Sequence, residues 1–103
     1  MPKRHTFHSV RFDWNPEKNE WLKAERNISF EDISLLLAEG RLWMVMDHPN
    51  QQKYPEQQVF LVPIDGCIYF VPFVMNDDTF FLKTAIPNRK STRDYREEME
   101  DLK

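Results

Sequence analysis

Residues 58–74 of this 103-residue chain read QVFLVPIDGCIYFVPFV, which is two apolar runs separated by Asp65-Gly66. A two-residue Asp-Gly link favours the positive φ angles of a tight β-turn. The pattern therefore predicts an antiparallel hairpin made of strands Gln58–Ile64 and Cys67–Val74.

Two helices are predicted before this hairpin. Asn15 can cap a helix that has Pro16 at its first position and runs to about Arg26. Ser29 opens a segment that resembles a capping box, and Gly40 can supply a left-handed stop. A second helix is therefore expected between Ser29 and Gly40.

The remaining apolar segments predict short strands. These strands are Ser9–Trp14, Leu42–Met46 and Thr79–Ile86. A last helix is expected from near Ser91, which is also its predicted cap. The order β-α-α-β-β-β-β-α indicates an α+β fold. We expect a small twisted antiparallel sheet, two N-terminal helices packed on one face, and a third helix that closes the chain.

Length and composition favour one folded domain. A hydrophobic content of 41% with 14% aromatic residues is typical of a globular protein. We expect residues 1–8 to form a flexible tail and residues 9–103 to form the domain. No apolar run approaches the roughly 20 residues of a membrane span, and the first eight residues do not resemble a signal peptide. With a single cysteine, Cys67, these features suit a reducing cytoplasm.

A basic cluster with one tyrosine lies near the C-terminus, although the net charge of the chain is −3. Its cations are Lys83, Arg89, Lys90, Arg93 and Arg96, and its tyrosine is Tyr95. Concentrated cations can hold a phosphodiester and stabilise negative charge that develops on it. A solvated helix surface has the same composition, so both interpretations are open.

Three short motifs occur in order along the chain. They are FDWNPEK at Phe12–Lys18, ISF at Ile28–Phe30 and IPNRKST at Ile86–Thr92, followed by Tyr95. They resemble the Phe-Glu-Trp-Asp-x-x-Lys, Val-Ser-Phe and Ile-Ser-Ala-Arg-Lys-Ala-Thr segments, and the Tyr-containing helix, of BrnT-type toxins. These toxins belong to the RelE/ParE-like superfamily of bacterial toxin–antitoxin systems. The chain departs from the family pattern at Arg26, which stands where the family carries a histidine.

The resemblance implies a toxin-like ribonuclease that cleaves RNA by metal-independent acid–base chemistry and is neutralised by a cognate antitoxin. Superfamily sites often use Lys, Arg and Tyr in place of paired histidines. The implied catalytic residues are Arg89, Lys90, Tyr95 and Lys18. The implied RNA-binding residues are Lys83, Arg93 and Arg26. No cofactor is expected, and the spacing of His and Cys matches no metal site.

Several of these residues also have a structural interpretation. Arg89 and Lys90 can complement carboxylates on the surface, and Tyr95 can anchor the last helix on the sheet. His48, the only histidine within residues 9–103, fits either a general base or a turn-forming residue.

Two further functions fit the same residues, and both involve a partner. One is a non-catalytic toxin-fold protein that acts only by binding its antitoxin or a repressor complex. The other is inhibition of a topoisomerase, as in the ParE branch. The strands carry more aromatic residues than one sheet face needs, namely Phe60, Tyr69, Phe70, Phe73, Phe80 and Phe81. We therefore expect another chain, an antitoxin or a second copy, to cover the open face of the sheet.

Overall fold

The computed structural model describes residues 10–102, so the predicted tail, Ser9 and Lys103 lie outside the described residues. The α+β class is confirmed. The elements in chain order are β1 (Arg11–Trp14), α1 (Pro16–Arg26), α2 (Phe30–Ala38), β2 (Met44–Asp47), β3 (Gln58–Ile64), β4 (Cys67–Asn76), β5 (Thr79–Leu82), β6 (Ile86–Pro87) and α3 (Arg89–Asp101). Within these residues, no helix has the length and apolar character needed to cross a bilayer.

Side-chain caps determine where the first two helices begin. Asn15 Oδ1 accepts hydrogen bonds from the amides of Glu17 at 2.8 Å and Lys18 at 3.1 Å. Ser29 Oγ accepts from the amide of Asp32 at 3.1 Å. Each cap satisfies amides that have no partner inside the first helical turn, so both predicted helix starts are confirmed.

Positive φ angles occur at the two turns where the sequence requires them. Asp65 and Gly66 have φ angles of 50° and 80°, the signs of a type I′ turn, and they join β3 to β4. Gly40 follows α2 with a φ angle of 76°. The amide of Arg41 then donates to the carbonyl of Leu36 at 2.8 Å, which closes the helix end. The predicted hairpin and the predicted helix stop are both confirmed.

The described strands form one mixed sheet in the order β1-β5-β4-β3-β2, and β6 pairs with β4. The β3–β4 pair is antiparallel, from Gln58 opposite Phe73 to Ile64 opposite Cys67. β1 pairs with β5 in parallel, with Trp14 opposite Leu82. The prediction of an entirely antiparallel sheet is therefore wrong at this edge. Two helices and three strands separate β1 from β5, which is ample chain for a return in the same direction.

Some element boundaries also differ from the prediction. β2 begins at Met44, and the predicted strand over residues 79–86 is divided into β5 and β6. The cap of α3 is Asn88, because its Oδ1 accepts from the Ser91 amide at 2.8 Å. The Asn88 amide donates to the carbonyl of Ile68 at 2.9 Å, so the chain passes from the sheet into α3 without a loop.

Helices contact both faces of the sheet. α1 and α2 cover one face and enclose the larger core, which includes Leu22, Phe30, Ile33, Leu37, Phe60, Val62, Val71 and Phe73. On the opposite side, Tyr95 of α3 packs with Trp43 against Val59, Leu61 and Ile68. The predicted position of the two N-terminal helices is confirmed. On this second face, α3 itself covers the β3–β4 part. That another chain covers the rest of the face stays a prediction.

Candidate functional site

The predicted site residues lie in separate places. Lys18, Arg26 and Lys83 line one cleft. Arg89 and Arg93 line a second depression. Tyr95 lines a third, mostly apolar groove. Arg89, Arg93 and Tyr95 are close in sequence and were predicted to form one site, but Tyr95 lines a different surface from the two arginines.

The first cleft, named the cationic cleft below, lies where β1 ends and α1 begins. It has a volume of about 650 Å³ and is lined by Asn15, Lys18, Arg26, Phe81, Lys83, Thr84 and Ile86. β1 stops at Trp14, opposite Leu82. The segment after Leu82 is thus not paired with β1, and side chains of α1 lie beside it. The cleft joins cations that are far apart in sequence.

Arg26 connects the two walls of the cationic cleft. Its Nη1 donates a 2.6 Å hydrogen bond to the backbone carbonyl of Ala85. Its Cζ lies 4.7 Å from the ring centroid of Trp21. These contacts orient the guanidinium plane. Because a guanidinium has five N–H donors, the bond to Ala85 leaves donors for a ligand.

Both lysines of the cationic cleft lie over aromatic rings. The Nζ of Lys18 is 4.1 Å from the ring centroid of Trp21, and the Nζ of Lys83 is 5.0 Å from that of Phe81. A cation–π contact orients an ammonium without neutralising its charge. Trp21 is therefore a site residue that sequence reasoning missed, although its spacing of three from Lys18 on a helix was a usable signal.

The cations of the cleft have no carboxylate partner within residues 10–102. The ion pairs in that range are Lys23–Glu20, Arg41–Glu39 and Lys90–Asp94. The chain has 17 acidic residues and 14 lysines and arginines, so carboxylates are not scarce. The positive potential of the cleft is thus available to an anionic ligand.

Asn19 fixes the helix that carries two of these cations. Its Oδ1 accepts from the amide of Phe30, and its Nδ2 donates to Oε1 of Glu31, both at 2.8 Å. The second bond holds the pKa of the Glu31 carboxyl below its ordinary value. Since Asn19 is only 3% exposed, it ties α1 to the start of α2. Nothing in the sequence pattern had singled it out.

Tyr95 and Lys90 have local partners away from the cationic cleft. The Tyr95 ring lies edge-on to that of Trp43, with centroids 5.3 Å apart. The Nζ of Lys90 is 3.2 Å from Oδ2 of Asp94, one helical turn further along. These contacts fit the structural interpretations, in which Tyr95 anchors α3 and Lys90 complements a surface carboxylate.

His48 lies in the loop between β2 and β3. Its Nδ1 accepts from the amide of Asn50 at 3.0 Å, and its ring centroid is 4.5 Å from that of Tyr54. This geometry fits the turn-forming interpretation. Across the described range of the chain, no three His, Cys, Asp or Glu side chains are placed to hold a metal ion.

The second depression lies along α3. It is lined by Cys67, Pro87, Asn88, Arg89, Thr92, Arg93 and Arg96 and has a volume of about 270 Å³. We name Arg89, Arg93 and Arg96 the arginine stripe, because spacings of four and three place them on one side of the helix. Nη2 of Arg96 donates to the carbonyl of Gly66 at 2.9 Å.

The third surface is an apolar groove between the end of α2, the start of β2 and α3. Its volume is about 450 Å³, and its lining is Leu36, Arg41, Leu42, Trp43, Pro63, Tyr95 and Met99. The groove lies on the side of the sheet that α3 covers, where Tyr95 packs with Trp43.

Comparison of the chain with models of protein families, with curated proteins and with solved structures gave no significant match.

Proposed function

We propose that the protein is a toxin-like ribonuclease that binds single-stranded RNA in the cationic cleft and cleaves it without a metal ion. The observation that carries this proposal is the convergence of Lys18, Arg26 and Lys83 in one cleft, without carboxylate partners in the described chain. Phosphate contacts by Lys and Arg supply most of the affinity of sequence-independent nucleic-acid binding.

The bound group is expected to contact side chains rather than the start of α1. The amides of Glu17 and Lys18 already donate to Asn15 Oδ1. The planar fork of Arg26 can bind two phosphate oxygens at once, whereas each lysine acts as a point charge. Arg26 is therefore the main phosphate ligand in this proposal, and the lysines flank it.

The reaction is an internal attack. The ribose 2′-oxygen bonds to phosphorus, the bond to the 5′-oxygen breaks, and a 2′,3′-cyclic phosphate and a 5′-hydroxyl result. Arg26 stabilises the charge on the phosphorane. The described lining of the cleft contains no histidine and no carboxylate. The 2′-hydroxyl proton therefore passes to solvent, and the leaving oxygen takes a proton from Lys83 or water.

Binding is tested with a fluorescent single-stranded RNA and the Lys18→Ala, Lys83→Ala and Lys23→Ala variants. Lys23 is the matched control, because it lies on the same helix but pairs with Glu20 at 3.0 Å. We expect each cleft substitution to weaken binding several-fold and to lower the salt slope by about 0.7. Equal effects of Lys18→Ala and Lys23→Ala would remove the cleft from the binding site.

Cleavage is tested in chelator with the same RNA. We expect the rate to rise about tenfold per pH unit near neutrality, because solvent base accepts the proton. Arg26→Lys keeps the charge and removes the fork, so we expect a loss of about 10²-fold in rate. Tight binding without a cyclic-phosphate product would favour the non-catalytic function.

The apolar groove favours a second candidate function, which is binding of a protein partner such as an antitoxin. Large apolar side chains are exposed next in sequence to lining residues or at the end of α3, namely Leu35 at 61%, Met44 at 39% and Leu102 at 75%. The C-terminal half of α3 adds Glu97, Glu98, Glu100 and Asp101. An amphipathic segment with apolar anchors and basic flanks fits this combination.

The partner proposal is tested by co-expression with the neighbouring reading frame. Met99→Glu places a charge in the groove, and we expect it to abolish a co-purifying complex while the protein stays folded. Glu25→Gln on α1 serves as the control. A complex that survives Met99→Glu would exclude the groove as its docking surface.

A further inference from the structure

The arginine stripe is a second cationic surface without carboxylate partners. Within residues 10–102, none of its three guanidiniums forms an ion pair, whereas neighbouring Lys90 pairs with Asp94. Arg96 is held by its bond to the Gly66 carbonyl. All three arginines line the same depression.

The charges of α3 oppose the dipole of the helix. Its first turn contains no acidic residue and its last turn contains no basic residue. Cations near a helix N-terminus and anions near its C-terminus are both unfavourable for helix stability. The stability of the isolated helix therefore does not account for Arg89 in the first turn.

The short strand β6 borders both the cationic cleft and the depression beside the arginine stripe. Ile86 lines the first, and its neighbour Pro87 lines the depression beside the second. Six residue steps separate Lys83 from Arg89, so their Cα atoms lie at most about 21 Å apart. Single-stranded sites of about four nucleotides or more are common and can cover such a distance.

We propose that RNA held in the cationic cleft continues past β6, and that the arginine stripe binds its next phosphates. This inference rests on the proposed function and adds the path of the strand and the length of RNA that is bound. Guanidiniums suit this role because each can bind a phosphate through two parallel hydrogen bonds. Arg89 and Arg93 are the ligands tested, since Arg96 also supports the hairpin.

The test uses the full chain, a trinucleotide and an RNA of about 12 nucleotides. The variants are the double substitution Arg89→Gln with Arg93→Gln, the cleft variant Lys83→Ala and the control Lys90→Gln. We expect the double substitution to weaken binding of the longer RNA about tenfold. The slope of log affinity against log salt concentration should fall by about 1.4, at 0.7 per phosphate contact. Binding of the trinucleotide should be unchanged, and Lys83→Ala should weaken both RNAs.

The outcomes separate the two proposals. If Lys83→Ala weakens the binding of both RNAs and the double variant weakens the binding of neither, the path over the stripe is wrong and the cationic cleft remains the proposed binding site. If neither RNA binds the native chain, the proposed function fails and the path fails with it. A glutamate-rich peptide that binds the native stripe more tightly than the longer RNA would make an acidic protein segment the ligand, and would overturn the path. Thermal melting of each variant verifies that it is folded.

Discussion

The indole N–H of Trp43 donates a 2.6 Å hydrogen bond to Oε2 of Glu98, which ties the residue before β2 to the second half of α3. Tyr95 packs edge-on to the same indole. These two contacts attach the middle of α3 to the segment that leads into β2. This attachment gives Tyr95 a structural role that can be tested separately from chemistry.

Replacement of Tyr95 should affect stability rather than cleavage. Tyr95→Ala removes a half-buried ring from the contact with Trp43, and we expect a loss of about 2 kcal/mol in the free energy of unfolding. Tyr95→Phe keeps the ring and should change stability by less than about 0.5 kcal/mol. Urea denaturation measures both. If Tyr95→Phe abolishes RNA cleavage at unchanged stability, Tyr95 belongs to the active site after all.

Asn19→Ala should be among the most damaging polar substitutions. It leaves the buried amide of Phe30 without its partner, and we expect a loss of about 1–3 kcal/mol. Glu31→Ala is the comparison, because it removes only the exposed end of the same network and should cost much less. Denaturation midpoints of the two variants give the order. Equal costs would show that Asn19 does not carry the helix–helix contact.

The Asn19–Glu31 bond should also make stability depend on acid. The hydrogen bond from Asn19 lowers the folded-state pKa of Glu31. The stability that the ionised Glu31 carboxylate contributes is therefore fully present above the ordinary carboxyl pKa of about 4.3. It is lost as the pH falls through the lowered pKa of the folded state. Glu31→Gln should reduce this part of the acid dependence. Unfolding midpoints between about pH 2 and pH 6 measure this acid dependence. Identical pH profiles for the native protein and Glu31→Gln would contradict the role given to the Asn19–Glu31 bond.

Gly66→Ala should be destabilising for a conformational reason. The φ angle of Gly66 is 80°, and a Cβ there would lie an ordinary 3.7 Å from Nη2 of Arg96. The strain of a left-handed alanine should then cost about 1 kcal/mol without a steric clash. Gly40→Ala, at a φ angle of 76°, provides the matched comparison at a helix end. A loss several times larger at Gly66 would indicate that the hairpin itself has rearranged.

Local chemistry made much of the fold predictable. A cap or a turn depends on a few adjacent residues, so Asn15, Ser29, Gly40 and Asp65-Gly66 could each be interpreted alone. The direction of β1 in the sheet, and the strand with which it pairs, could not be predicted in this way. Its alternating pattern shows which residues face the core but not which strand lies beside it.

The candidate site was predictable only as a set of residue types. Lys18 and Arg26 reach Lys83 through the pairing of β1 with β5, which no short pattern encodes. Tyr95 is near Arg93 in sequence, but one contributes to the packing under α3 and the other to the arginine stripe. Helix geometry separates neighbours in sequence onto different sides.

The parallel pairing of β1 with β5 has a consequence for how the protein is made. Trp14 pairs with Leu82, so β1 remains without its neighbour until the 68 residues that follow Trp14, up to Leu82, have been synthesised. At about 5–20 residues per second, this interval lasts roughly 3 to 14 s. The closure of so long a loop also slows folding, since it must precede the contacts that stabilise it. Because the cationic cleft needs Lys83 beside α1, a nascent chain lacks this cleft until the segment that follows β5 has been synthesised and has folded.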